Sequence, residues 1–336
     1  MLSSQSLDAV LEVARRLSPT PVRRVVELRR GQNNRIFRVE AEGGDYALKR
    51  YPAEDKRDRM RAELAALAFF ARRGIGRTPR VVALEPETRH VLLSWMEGEP
   101  IAQVSEANVA AFADFQIELD SAIDERARGE IGEASEACLS GRRILGQIGG
   151  RFRRLAAVKA EMPQFAAFYD GMLVPALEAL EAQARRDYAR LGLDFDADLP
   201  AERRTLIASD FGAHNALRRA DGSLAFLDFE YFGWDDPATS IALFVMHPAM
   251  RLSASQKLGY RRRMIEHFPG TCEADRLAAL MPLYALRWCG IILNELLPER
   301  WRHRLVSGAE LGGWDEVRQA QIEKARRLLE EFWPPC

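Results

Sequence analysis

Cysteine is scarce in this chain of 336 residues, and the four that occur (Cys138, Cys272, Cys289 and Cys336) are widely separated. No CxxC pair and no closely spaced framework exists, which argues against a disulfide scaffold and for reduced thiols in a cytoplasmic protein. Long apolar runs are missing too: nowhere do 18 apolar residues follow one another, so no bilayer span and no membrane partner is expected. The opening MLSSQSLDAVLEVARRL has no basic stretch followed by an apolar one. It is read as an amphipathic helix beginning near Ser6 or Asp8 rather than a leader. Neither sign of charge is in excess, since 48 basic and 49 acidic residues leave −1. That removes overall basicity as an argument for a nucleic-acid partner, and none is expected. The five histidines include no HExxH, so no zinc is expected. There is also no GxxxxGK[ST] loop for nucleotide phosphates.

What the chain does contain is unevenly distributed. Residues 1–97 carry a net charge of about +6, residues 98–240 about −10 and residues 241–336 about +3. From 22 to 51, three short segments rich in branched and aromatic residues (VVEL, RIFRVEA, DYALKRY) are separated by RRGQNN and EGG. This predicts a three-stranded meander whose tight hairpin uses Gly43-Gly44. Over 54–73 the spacing becomes helical, with Met60, Leu64, Leu67 and Phe70 sharing one face. RVVALEP and HVLLSWM then read as two more strands, and Gly98-Glu99-Pro100 breaks the pattern. The fold class expected is α+β with two lobes: a small β-rich lobe over 1–97 and a larger, mostly helical lobe over 98–336. The larger lobe contains a β-like patch at 204–232.

That patch holds the most informative residues. Asp210 ends an apolar strand, Asn215 follows in the loop, and Asp228 interrupts a second apolar strand between Leu227 and Phe229. A carboxylate there is costly to bury without a partner, so it either caps a turn, pairs with a base or works. A hairpin with an acid before it, an amide within it and an acid after it gathers three oxygen donors. Few, hard oxygen ligands suit Mg²⁺ shared with phosphate oxygens.

Ser209-Asp210-Phe211-Gly212-Ala213-His214-Asn215, followed by Phe226-Leu227-Asp228-Phe229-Glu230, resembles the catalytic loop and metal-binding segment of the aminoglycoside phosphotransferase and choline kinase-like family. Leu28 to Val39, with Gly31 and Asn34 in place, resembles that family's phosphate-covering turn. Tyr46-Ala47-Leu48-Lys49 resembles its lysine-bearing strand, and Glu63 the helical partner of that lysine. The resemblance implies a bilobal protein kinase-like fold and an ATP- and Mg²⁺-dependent phosphotransferase acting on a hydroxyl of a small molecule. It implies Asp210 as catalytic base and Asn215 and Asp228 as metal ligands. Gly31, Asn34, Lys49 and Glu63 would serve the nucleotide phosphates, and the main chain near Ser94, Trp95 and Met96 the adenine edge. The chain departs from the family pattern at Ala208 (histidine in the family), Ser209 (glycine), Arg30 (glycine) and Ser240 (aspartate). A second reading therefore stays open: a catalytically degenerate kinase-like nucleotide-binding or scaffold protein. The acceptor is open as well. Tyr284, Trp288, Trp301 and Trp314 could cage a choline-like cation or simply pack in the core, and Arg261-Arg262-Arg263 could meet an anion or form a solvated helix face.

Overall fold

The structure is a computed structural model, and it describes residues 4–28, 34–53, 55, 57–301 and 313–333. By contacts the chain forms two compact units. The first comprises residues 1–135 and 206–233, the second residues 136–205 and 234–336. This division follows packing, whereas the boundary expected after residue 97 follows the switch from strand to helix. Contacts group the segment carrying Asp210, Asn215 and Asp228 with the strands rather than with the later helices.

The first unit is built on an antiparallel sheet of five strands: β1 (Val22–Leu28), β2 (Arg35–Ala41), β3 (Gly44–Arg50), β4 (Val81–Glu85) and β5 (His90–Ser94), ordered β1-β2-β3-β5-β4. The meander forms as the sequence predicts, and Gly43 takes the positive φ of +84° at the hairpin. Period-two alternation puts Phe37, Val39, Leu48 and Leu92 on one face. That face is covered by helix α1 (Ser4–Leu17) through Val10, Val13 and Ala14. Lys49, one residue beyond Leu48, must point to the opposite face. Helix α2 (Arg59–Arg73) starts later than the expected residue 54. The cause is local: the Asp55 carboxylate accepts from the Arg57 and Arg59 amides at 3.1 and 2.9 Å, and Asp58 adopts a left-handed φ of +44°. A turn thereby replaces the first helical residues.

Strand β6 (Glu99–Pro100) pairs with β8 (Ala216–Arg218), which pairs with β9 (Leu224–Phe226). Gly98 has a reason to be glycine, because a Cβ there would lie 2.9 Å from the Arg218 carbonyl oxygen. Helix α3 (Glu106–Ser121) packs on this ribbon through Phe112, 5.4 Å from Phe226, and helix α4 (Glu125–Glu130) is tied to α2 by the Arg72–Glu130 pair at 3.5 Å. Eight phenylalanines bind the unit together. Phe69 and Phe70 come from α2, Phe112 and Phe115 from α3, and Phe211, Phe226, Phe229 and Phe232 from the hairpin region. Their rings approach at, for example, 4.7 Å (Phe70–Phe229), 4.2 Å (Phe115–Phe226) and 4.9 Å (Phe112–Phe211). Each such pair adds about 0.5–1.5 kcal/mol beyond its buried area.

The second unit is helical: α5 (Gly141–Ala156), α6 (Pro163–Phe168), α7 (Val174–Arg190), α8 (Pro237–Met246), α9 (Ala254–His267), α10 (Ala274–Ile292) and α11 (Trp314–Glu330). Of the three places where the chain passes from one unit to the other, two fall in short strands, β7 (Thr205–Ile207) and β10 (Gly233–Asp235). One helical stretch among the described residues, Ala274–Leu296, is long and apolar enough to cross a membrane. However, 78% of its most apolar window is buried within the fold, so its composition is that of a core helix.

At the start of α8 a buried acidic pair is fixed by amides. Asp235 accepts from the Cys138 and Asp236 amides at 2.8 and 2.7 Å and from the Thr239 hydroxyl at 3.2 Å. Asp236 caps α8 through Ala238 N at 2.8 Å and is paired with the Arg276 guanidinium. Burial pushes the Asp235 carboxyl up to about 7, the amides oppose the shift, and the charge of Asp236 adds to it. A carboxyl raised in the folded state adds stability that is full below its ordinary value near 4 and disappears as pH rises to about 7. Replacing Asp235 by Asn keeps the acceptor oxygen. The variant is expected to lose a slope on the order of 1 kcal/mol per pH unit between about pH 4 and 7 and to exceed the wild type in stability at pH 8. Parallel wild-type and variant slopes in denaturant melts across that range would show Asp235 to be ionised.

Candidate active site

Strand β3 delivers Lys49 to the inner face of the sheet, where its side chain is only 4% exposed. An isolated ammonium could not be held there. Its Nζ donates to Glu63 Oε2 on α2 and to Asp228 Oδ1, each at 2.6 Å. Burial alone would lower the pKa of Lys49, but the charges of Glu63, Asp228 and Glu230 outweigh it and raise it above the usual lysine range. The lysine therefore stays charged at any working pH. Glu63, 2% exposed, also accepts from the Tyr51 hydroxyl and from the Phe229 amide at 3.4 Å. No motif in the sequence marks Tyr51. Only its place two residues after the lysine, the same-face spacing on a strand, marked it in advance.

The second apolar strand ends earlier than its composition suggests, at Phe226. Asp228 then takes a left-handed φ of +64°, a conformation a short polar side chain tolerates. This reversal leaves the ladder and turns the carboxylate toward Lys49, while Phe226 and Phe229 on either side stay buried in the aromatic cluster. Glu230, read from the sequence as either a metal-site support or an exposed strand residue, is 2% exposed. It accepts from the Asn34 amide and lies 3.6 Å from Arg59 Nε. Asn34, expected at the nucleotide phosphates, is thus tied to the segment carrying Asp228. Gly31, expected beside it, lies outside the described residues.

The loop after β7 presents Asp210, whose side chain is 40% exposed. His214 Nε2 is 3.1 Å from its Oδ1. Asn215 donates its amide nitrogen to the Asp210 carbonyl at 2.9 Å. The amide oxygen of Asn215 is then the atom left to act as a ligand, and the Leu227 amide bonds the Asn215 carbonyl at 2.8 Å to hold the two segments in register. With one Asp228 oxygen on Lys49 and the other not so engaged, the donor set is amide and carboxylate oxygen, which fits Mg²⁺ and not a softer ion. Ser94 accepts the Arg80 amide on its hydroxyl and donates its own amide to the Arg80 carbonyl, both at 2.9 Å. Trp95 lies under the Arg38 guanidinium at 4.8 Å, and Met96 follows in irregular chain.

Ser209 stands at a left-handed φ of +59°, and its hydroxyl donates to the Tyr231 carbonyl at 3.1 Å. The positive φ explains why a glycine is favoured at such a place, and the hydroxyl bond offsets the strain. Ser209→Ala keeps the strain and loses the bond, so it is expected to cost about 1 kcal/mol. Ser209→Gly loses the bond but gives back a similar amount of strain, and should leave the melting temperature nearly unchanged. If the glycine variant melts as low as the alanine variant, the backbone at Ser209 is not strained.

The sequence model of the phosphotransferase enzyme family matches residues 24–271. The chain belongs to that family. No curated protein matches it in sequence. Among solved structures, a choline kinase from Streptococcus pneumoniae aligns with a TM-score of 0.61 at 15% identity, covering 98% of this chain and 100% of its own. A spectinomycin phosphotransferase, solved with ADP and its antibiotic, gives 0.61 at 11% identity over 96% and 98%. An ethanolamine kinase from Plasmodium vivax gives 0.58 at 12% over 96% and 89%. At these identities the likeness shows the fold, which is protein kinase-like as expected: a β-sheet followed by a mainly helical part.

The four aromatics considered for a cation cage have other occupations. Tyr284 is fully buried with its hydroxyl 2.7 Å from that of Thr239, and Trp288 packs edge-on to His247 at 5.1 Å. Trp301 and Trp314 stack on each other at 5.7 Å, and the Arg318 guanidinium covers Trp314 at 3.3 Å.

Proposed function

We propose that this phosphotransferase is an ATP- and Mg²⁺-dependent kinase that moves the γ-phosphate to a hydroxyl of a small molecule. The observation that carries the reading is one buried lysine bonded at once to Glu63 and Asp228, in the same unit as Asp210 and Asn215. Phosphoryl transfer asks a protein mainly to position groups and neutralise charge. Lys49, kept charged and aimed by Glu63 and Tyr51, supplies a fixed positive charge for the donor phosphates. Asn215 and Asp228 would hold Mg²⁺, which when bound offsets the negative charge of the phosphate oxygens. Asp210, the more exposed acid, accepts the proton of the attacking hydroxyl, with His214 on its carboxylate and Asn215 on its main-chain carbonyl holding it in place. The main chain at Ser94, Trp95 and Met96 takes the adenine edge.

The solved complex of a spectinomycin phosphotransferase with ADP supports an adenine nucleotide as donor for this fold. Titration calorimetry with a non-hydrolysable ATP analogue tests the donor half: binding should require Mg²⁺, and binding unaffected by chelator would remove Asn215 and Asp228 as metal ligands. A transfer screen with γ-labelled ATP over sugars, amino alcohols, nucleosides and aminoglycosides tests the acceptor half. Nucleotide binding with no transfer to any of them would favour the non-catalytic alternative that Ala208 and Ser209 leave open.

A further inference from the structure

The second unit contains a cleft of about 460 Å³ between the end of α8, the start of α9, the end of α10 and the face of α11. That is ample for a small ligand. Its floor is apolar: Val245, Met246 and Ile292 are all less than 7% exposed. Its rim is not. Four cations line it, and two of these are matched, Lys257 with Glu331 at 3.4 Å and Arg327 with Glu323 at 2.8 Å. The other two are Arg251 and Lys324, which have no counter-ion among the described residues. Arg251 also adopts a left-handed φ of +48°, an unfavourable conformation for a long side chain.

We propose that this cleft is a binding site for a small molecule that joins an anionic group to an apolar body, the anion seated between Arg251 and Lys324 and the apolar part on the floor beneath. Two unmatched positive charges at one mouth repel each other, and an anion between them relieves that repulsion. The state of Lys324 agrees: burial first, and the charge of Arg251 second, hold its ammonium below the ordinary lysine range. The buried apolar floor separates this cleft from a merely basic surface such as Arg261-Arg262-Arg263, because it rewards an apolar body while the rim selects the sign of the charge. A choline-like cation is the wrong charge for it. The proposal concerns the second unit alone and stands whether or not the kinase reading of Lys49 and Asp210 holds.

The test uses the full chain and calorimetry with n-octyl phosphate below its micellar concentration, saturating Mg²⁺ and a non-hydrolysable ATP analogue being present throughout. One-to-one binding is expected, at least tenfold tighter than that of n-octyltrimethylammonium, which has the same apolar body and the opposite charge. The double variant Arg251→Gln/Lys324→Gln should weaken octyl phosphate at least tenfold, and Arg262→Gln, an exposed site on α9 (side chain 78% exposed), should not. Thermal melts of each variant confirm that it is folded. Equal binding of the cation, unchanged affinity in the double variant, or binding seen only when the nucleotide analogue is left out would overturn the proposal.

Discussion

Lys49→Met is expected to melt well below the wild type and to transfer no phosphate. Methionine fills the space of the lysine stem but brings no charge, so the Glu63 carboxyl, 2% exposed, would be left in the core beside Asp228 with its cation gone. Removing one partner of a buried ion pair costs about 3–5 kcal/mol, because the loss includes an uncompensated charge and not only the attraction. The lower part of that range applies here, since the Asp228 side chain is 30% exposed and water can reach it. The hydroxyl of Tyr51 and the amide of Phe229 stay on Glu63 and limit the damage further. A double variant, Lys49→Met with Glu63→Gln, separates stability from chemistry. It should regain most of the lost stability, because no unpaired charge is buried, and should still transfer nothing. Recovery of transfer in the double variant would show that Lys49 does not serve the donor phosphates. An unchanged melting temperature in the single variant would show that the buried pair contributes nothing to the fold.

Much of this site could be read from the residues because its parts obey local rules. Lys49 sits in a strand whose alternation sets it opposite Leu48, and Glu63 sits on a helix announced by Met60, Leu64, Leu67 and Phe70. Such periodicities survive folding because the sheet and the helix each bury one face. What could not be read depends on the backbone leaving regular geometry. The strand through Leu227-Asp228-Phe229 looked continuous by composition, but it stops at Phe226 because Asp228 reverses at positive φ. No pattern of hydrophobicity records a single left-handed residue that is not glycine. The start of α2 is similar, set by one carboxylate, Asp55, bonding amides two and four residues ahead.

The role of Glu230 was equally hidden. Glu230 is buried and accepts a bond from Asn34 across 196 positions of sequence, and composition carries no information about such a pair. The same holds for the aromatic cluster. Each phenylalanine reads as an ordinary core residue, and only the fold reveals that Phe211, Phe226 and Phe229 gather beside Asp210 and Asp228 in one cluster. Their rings are fixed by neighbours from α2 and α3, so the positions of Asp210 and Asp228 rest on a rigid base although both side chains reach solvent.

Asp210→Asn is the more discriminating experiment for the chemistry, because it removes the proposed base and almost nothing else. Asn has the same shape, can still accept from His214, and leaves the carbonyl that receives the Asn215 amide untouched. The loop geometry and the metal ligands should therefore persist, and the affinity for the Mg²⁺–nucleotide complex should stay within about twofold. Transfer should fall by about 10²–10⁴, the usual contribution of a positioned acid or base, with the loss in kcat rather than in the KM for nucleotide. The direction of the pH profile gives a second reading of the same residue. If Asp210 takes the hydroxyl proton, wild-type kcat should decline on the acid side as the carboxylate is protonated, and the residual activity of the variant should lack that limb. Asp210→Ala provides the control for orientation, since it abolishes both the base and the hydrogen bond to His214. A variant Asn enzyme within tenfold of the wild type, with the Ala enzyme far below it, would make Asp210 a group that orients the acceptor hydroxyl and would leave proton removal to the departing phosphate itself.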